Sequence, residues 1–211
     1  MAVLIIGNGN DVEKKSIENI NVEYVICADG GLEKAEKLEL CPNLILGDFD
    51  SVNSSVLKYY KELNIETVTF PPEKDYTDME LAVEYAVKKG YKDIVMTGAS
   101  GSRLDHTLAN IQLLEKYHCQ GINLEMVDNN NCISIISDNA DIRIKYRKDY
   151  FVSLVPVTEK LEGLSLEGFK YPLDNVQVQR GTAFLISNEI IQSEGRILLK
   201  KGTALVFISK D

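Results

Sequence analysis

The 211-residue chain has no tryptophan, no CxxC pair, no GxGxxG or GxxxxGK[ST] loop and no apolar run of membrane-spanning length. Each absence removes a class. Cys27, Cys41, Cys119 and Cys132 stand far apart, so neither a thiolate zinc site nor a dithiol redox motif is supported. The four thiols are expected to be reduced and mostly buried. Without either glycine fingerprint, a dinucleotide fold of the usual kind and a P-loop NTPase are not supported. The opening AVLII lacks a basic flank and is too short for a signal peptide or a span, so a cytoplasmic protein without a membrane partner is expected. Positive charge is also scarce: 23 Lys and Arg against 32 Asp and Glu leave a net charge of -9. Such a balance disfavours non-specific nucleic-acid binding, and no nucleic-acid partner is expected. A polyanionic ligand would have to be held by a few local groups.

What the chain does have is an ordinary globular composition, 45% hydrophobic and 26% charged, arranged in two textures. Up to about residue 128, short apolar runs (VLIIG, YVICA, LILG, IETVTF, DIVMTG, INLEMV) alternate with helix-like segments. That alternation predicts a mainly parallel three-layer α/β/α nucleotide-binding domain over residues 1–129. The helix-like segments are DVEKKSIENI, GLEKAEKLEL, SVLKYYKELN, TDMELAVEYAVKKG and RLDHTLANIQLLEKYH. In the fourth, Met79, Ala82, Val83, Ala86 and Val87 keep helical spacing, and Gly90 reads as the C-cap. Beyond the triple asparagine at Asn129 to Asn131 the runs shorten and alternate with period two, which predicts an antiparallel all-β sandwich domain over residues 130–211. There, Asn175 to Ser187 reads as one strand, and Lys200, Lys201 and Gly202 read as a hairpin turn between two others.

Open parallel sheets bind ligands beyond the carboxyl ends of their strands, and the unusual residues of this chain fall there. The strand ends read GNGN from Gly7, ADGG from Ala28, GDFDS from Gly47, PPEKDYTD from Pro71 and GASGSRLDH from Gly98. Glycines there, Gly30 among them, admit close backbone approach to phosphate, although ordinary turn chemistry explains each one equally well. Residues i and i+2 of an extended segment point the same way, so Asp48 and Asp50 can face one hard cation such as Mg2+. The competing role for Asp50 or Ser51 is a helix N-cap. KDYTD adds Lys74, Asp75 and Asp78, with Thr77 and Glu80 as a capping box. In GSRLDH, Ser102 and Asp105 match a second capping pattern, while Arg103 and His106 share a helix face suited to phosphate oxygens. The constellation fits phosphoryl or pyrophosphoryl transfer from a magnesium-nucleotide.

ADGG, LGDFDS, KDYTD and GASGSRLDH, in this order ahead of an all-β part, closely resemble the thiamine pyrophosphokinase (thiamine diphosphokinase) family over nearly the whole chain. The resemblance implies transfer of a pyrophosphoryl group from ATP to the hydroxyl of thiamine, giving thiamine diphosphate and AMP. It also implies a homodimer with thiamine bound at the subunit interface, between the nucleotide domain of one subunit and the β domain of the other. Asp48, Asp50 and Asp78 would hold Mg2+, with Asp75 helping. Lys74, Thr77, Arg103, Asp105 and His106 would surround the triphosphate, with Asp29 and Gly30 beside them. Ser187 and Asn188 in LISNE match a Ser-Asn pair near the substrate site, although Ser-Asn also makes an ordinary turn. Some relatives stack thiamine on a tryptophan near the C-terminus; here Leu205, Val206 or Phe207 would supply an apolar surface instead.

Two other readings compete. LILGDFDS also suits the nucleophile loop of a haloacid-dehalogenase-like phosphatase, with Asp48 forming an aspartyl-phosphate, Asp50 as acid/base and Val52 in register. A non-catalytic Mg-ATP sensing module signalling through its β domain is the other.

Overall fold

A computed structural model describes residues 1–211 apart from Ser51, Pro72 and Lys74. The chain divides into two compact units, Met1–Asn129 and Asn130–Asp211.

The first unit alternates strand and helix: β1 (Ala2–Ile6), α1 (Lys14–Ile17), β2 (Val22–Ala28), α2 (Gly31–Lys37), β3 (Leu44–Gly47), α3 (Ser54–Glu62), β4 (Glu66–Thr69), α4 (Asp78–Lys88), β5 (Asp93–Thr97), α5 (Leu104–His118) and β6 (Asn123–Val127). The strands lie in the order β4-β3-β2-β1-β5-β6, and every pairing is parallel. Strands covered on both faces need apolar residues at successive positions, which is why Val3 to Ile6 and Leu44 to Leu46 are all fully buried. On one face Leu4, Ile6, Cys27 and Ile45 pack with Ile17, Leu32, Ala35 and Tyr60 of α1 to α3. On the other, α4 lies across β1, β2 and β3, and α5 lies against β6 and α4. Successive strands run outward from β1 in both directions, so the connection order reverses between β1 and β5. That reversal opens a crevice at the carboxyl ends of these two strands.

The second unit contains β7 (Asn131–Ile136), β8 (Ala140–Lys145), β9 (Phe151–Pro156), β10 (Lys160–Glu167), β11 (Leu173–Gln179), β12 (Glu194–Leu199) and β13 (Ala204–Ser209). β13 pairs antiparallel with β7 and β9, and a second antiparallel sheet runs β11-β10-β12-β8. Leu154, Leu161, Leu164, Ile197 and Val206 fill one core shared by the two sheets, as a sandwich requires.

Several sequence expectations need correction. The segment from Asp11 to Ile20 forms only one helical turn, because its first residues are held in a loop described below. β10 escaped notice because Gly163, at φ 68°, breaks the register between Leu161 and Leu164 and with it the period of two. The expected strand from Asn175 to Ser187 ends at Gln179. Lys200 to Gly202 is not a hairpin: β12 and β13 belong to different sheets, and the turn carries the chain between them. Of the four thiols only Cys27 is buried; Cys132 is half-buried, Cys41 and Cys119 are exposed, and no disulfide joins any of them among the described residues. No described helix is long and apolar enough to cross a membrane.

Candidate active site

The crevice at the β1/β5 reversal holds about 480 Å3 and is walled by the segments after β1 and β5, with α4 and α5 starting at its rim. Its walls are backbone. The amides of Gly9 and Asn10 donate to the carbonyls of Gly98 (2.7 Å) and Ser100 (2.6 Å), and Gly7 N donates to Thr97 O (2.8 Å). A Cβ on Gly9 would sit 2.1 Å from the Ser100 oxygen, so only glycine lets the two loops close on each other.

Three supports hold the loop after β1. The nearly buried Lys34 of α2 donates to Gly9 O and to Asp11 (2.8 Å), and Lys37 donates to the other Asp11 oxygen (2.8 Å). These two lysines hold the Asp11 carboxyl down to about 2. Asn129 accepts from Glu13 N (2.7 Å) and donates to Asp11 O (3.2 Å), which keeps residues 11–13 out of the helix. The loop after β5 is braced by α5 and β6. Thr107 Oγ1 accepts from Gly101 N (3.1 Å), Asn110 donates to Ala99 O (2.7 Å) and Ser100 Oγ donates to Asp128 (2.9 Å).

Beside the crevice the carboxylates of Asp29, Asp48 and Asp50 converge, with an oxygen of each within 4.8 Å of the others. Strand alternation is not the cause, contrary to the extended geometry expected for Asp48 and Asp50. β3 ends at Gly47, Phe49 takes φ 62°, and Asp48 Oδ1 accepts from Asp50 N (3.2 Å), so a tight turn folds the two acids together while Phe49 packs on the core. Asp29 also has positive φ, 48°, at the end of β2. Two non-glycine residues in that region at adjacent strand ends mark a locally strained edge. The Asp50 carboxyl, although exposed, is pushed upward, chiefly by the charge of Asp48, then by some loss of hydration, with Asp29 and Asp78 adding to it.

Asp78 opens α4, and Thr77 caps that helix by accepting from Glu80 N (3.2 Å); both line the crevice. Glu80 does not complete the capping box and reaches Lys116 of α5 instead (2.6 Å). The N-cap of α3 is Asn53, not Asp50, and Ser51, the other cap candidate, lies outside the described residues. At α5 the N-cap is Arg103, without a side-chain cap bond, so the Ser102 to Asp105 capping pattern is not realised. Arg103 forks onto Asp105 (2.6 and 3.3 Å), and this bond, helped by the His106 amide, holds the Asp105 carboxyl down to about 2. Arg103 and His106 line the crevice, as does Ala28 with Asp29. Gly30 is the N-cap of α2 and lies under the Asn8 side chain. Asp75 is exposed before α4 and is not among the residues lining the crevice. Lys74 lies outside the described residues.

In the second unit, Ser187 takes φ 58° and donates its amide to Ser153 (2.9 Å). Asn188 is buried, and its carboxamide is engaged with the backbone of Tyr171 and Glu189. Val206 points into the core, at 1% exposure, so of the three apolar candidates only Leu205 and Phe207 retain accessible surface. The sequence reading missed Asn8, Met79 and Asn110 of the crevice and the supports Lys34, Asp128 and Thr107. For Asn110 a signal existed: it occupies the buried stripe of α5 with Leu113, Leu114 and Tyr117, where an apolar residue is the rule.

A doubly wound sheet, a glycine-walled crevice at its switch point and an acidic cluster beside it define an α/β protein of the class that holds phosphate-bearing ligands. Comparison with known proteins narrows that class. Residues 17–126 match the model of the thiamin pyrophosphokinase catalytic domain, and residues 139–203 that of the thiamin pyrophosphokinase vitamin B1 binding domain. The thiamine pyrophosphokinase of Bacillus subtilis is 35% identical over 173 residues, 82% of this chain and 80% of that protein. A solved Bacillus subtilis thiamine pyrophosphokinase superposes with a TM-score of 0.92 at 29% identity, covering 100% of both chains. The Geobacillus thermodenitrificans structure gives 0.86 at 32% identity, covering 100% of this chain and 98% of that one. The chain belongs to the thiamine pyrophosphokinase family, which sets aside the phosphatase and sensor readings.

Proposed function

We propose that the chain transfers the pyrophosphoryl group of ATP to the hydroxyl of thiamine, giving thiamine diphosphate and AMP. The observation that carries this reading is the convergence of Asp29, Asp48 and Asp50 beside a crevice walled by backbone. Three carboxylates this close repel one another, as the upward shift of Asp50 records, and an all-oxygen donor set fits a magnesium ion. Bound there, magnesium would neutralise and orient phosphate oxygens. Asp29, Asp48 and Asp50 would hold it, with Asp78 as a further carboxylate.

The chain's own groups do the rest. Amides at the starts of α4 and α5 face the anionic end of the nucleotide. Arg103 turns from Asp105 to the phosphates and, with His106 and Lys74, offsets the negative charge that grows on the departing AMP. The thiamine oxygen attacks the β-phosphorus in line, the bond from that phosphorus to the oxygen bridging the α-phosphorus breaks, and AMP leaves. Asp105, released from Arg103, takes the hydroxyl proton; Asp75 is the other carboxylate in reach of this role by motif. In this reading the second unit supplies the thiamine contacts near Ser187, Asn188 and the exposed side chains of β13, and two copies of the chain build the site at their interface.

Phosphorus NMR of the protein with ATP, magnesium and thiamine tests the reaction. Thiamine diphosphate and AMP should appear together, and only with thiamine present. ADP with inorganic phosphate, or an unchanged spectrum, would reject it. Light scattering of the same sample should give the mass of a dimer.

A further inference from the structure

Asn110 is one of three polar residues buried in the described chain, at 8% exposure, and it lines the crevice. Its bonding is half complete. Asn188, buried to a similar degree, accepts through its oxygen from two amides and donates through its nitrogen to a carbonyl. Asn110 makes one bond among the described residues, to the Ala99 carbonyl at 2.7 Å. A carbonyl can only accept, so the atom facing Ala99 is the nitrogen and the carboxamide oxygen is turned the other way. That oxygen is not among the buried side-chain atoms that lack a partner, so it keeps access to the crevice that Asn110 lines, as an acceptor open to a ligand's donor.

Position identifies the kind of ligand. Arg103, His106 and Asn110 follow one another on a single face of α5. Seven residues of helix put Asn110 roughly 10 Å beyond Arg103. Arg103 and His106 therefore lie at the start of this helix face, and Asn110 lies further along it. The walls nearest in chemistry to an uncharged ring are Met79, Ala28, Ala99 and the backbone of Gly7 and Gly98. Met79 reaches over Gly7, where its terminal methyl occupies the space a Cβ would take. A carboxamide acceptor oriented by its own brace, about one nucleoside length along the helix from Arg103, suits a heterocycle carrying an amino group.

We propose that Asn110 is a specificity-determining residue whose carboxamide oxygen accepts a hydrogen bond from the exocyclic amino group of the nucleotide base. The inference rests on the nucleotide reading of this crevice. A 6-aminopurine satisfies the oxygen; a 6-oxopurine sets two acceptors against each other and is rejected. The brace to Ala99 fixes which atom does the reading.

ATP and ITP, which differ at this one substituent, test the idea. Calorimetric affinities and steady-state rates with thiamine are measured for the wild type and for Asn110→Leu. The wild type should prefer ATP on the order of 100-fold, and Asn110→Leu should lose most of that preference through a higher KM for ATP, with the KM for thiamine kept. A preference unchanged in Asn110→Leu, even if overall activity falls, overturns the proposal and leaves Asn110 as a brace for Ala99. Equal use of ATP and ITP by the wild type overturns it without any variant, should Asn110→Leu not fold. Discrimination against 2′- or 3′-deoxyATP in place of ITP, or against 4-oxo in place of 4-aminopyrimidine thiamine analogues, overturns it by assigning the donor to the ribose or to the acceptor substrate. Binding is read without thiamine, so a protein that favours ATP over ITP but makes no thiamine diphosphate sinks the proposed reaction and supports the role of Asn110.

Discussion

Asp50 illustrates how function and stability pull apart at a single residue. Its neighbours Asp48 and Asp29 disfavour its charge, so Asp50→Asn relieves repulsion in the folded state while removing a carboxylate from the proposed magnesium site. Turnover should fall at least about 100-fold while the melting temperature holds or rises; magnesium-dependent activity equal to wild type would remove Asp50 from the metal site. Thr97 offers a cleaner stability test. It is fully buried, and its hydroxyl has no hydrogen-bond partner among the described residues. Thr97→Val should stabilise by about 1 kcal/mol, or roughly 2–4 °C in Tm, and a loss of stability would show that the hydroxyl is bonded. Glu125 gives the pH dependence. Burial, then the charge of Asp93, pushes its carboxyl up. The folded state therefore disfavours the ionised form: nothing is lost below the unfolded value near 4.3, and stability falls as pH rises through the higher folded value. Glu125→Gln should raise Tm at pH 8 and leave it unchanged at pH 3.5; equal shifts at both would indicate packing instead. Residues of this kind were hard to read from the sequence. Asp48 and Asp50 announce themselves by spacing, whereas the meaning of Thr97, Glu125 and Asn110 depends on what packs around them.

Elements were legible where one physical rule acted alone. The parallel strands read as apolar runs because both faces are covered, and α4 was legible because its apolar stripe, its Thr77 cap and the left-handed Gly90 agree, although the C-cap is Lys89 and Gly90 is the residue after it. Legibility failed where two rules compete. At α1 the helix-like DVEKKSI sequence loses residues 11–13 to side-chain bonds from Asn129 and Lys34, and the helix starts only at Lys14. At β10 one left-handed glycine shifts the phase of the apolar residues. The clamp on α1 can be tested: Asn129→Ala removes the bonds to Glu13 N and Asp11 O and should raise amide exchange at residues 11–16 at least about 10-fold, leaving α4 and α5 unchanged. Unchanged exchange at those residues would mean the loop holds itself.

At the scale of the whole molecule, the two textures of the sequence correspond to two units, each with its own core, Leu4, Ile6 and Ile45 in one and Leu161, Leu164 and Ile197 in the other. A ligand that binds only the native first unit stabilises it by mass action, about 2.7 kcal/mol at one hundred times Kd. Magnesium and ATP together, without thiamine, should therefore slow amide exchange around Gly7 to Asn10 and Gly98 to Arg103 more than in the core of residues 130–211; uniform slowing would place the nucleotide elsewhere.

The crevice walls meet through main-chain amides and carbonyls of Gly7, Gly9, Asn10, Gly98 and Ser100, and none of those bonds depends on a side chain. The consequence is evolutionary. Substitutions at Asn8, Asn10 or Ser102 can change what the crevice accepts without dismantling its walls, so preference for one nucleotide or acceptor is free to drift. The glycines are not: each step away from Gly9 or Gly31 drives a carbon into a neighbouring carbonyl. A lineage on this scaffold can therefore explore new substrates by single steps around a floor that tolerates almost none.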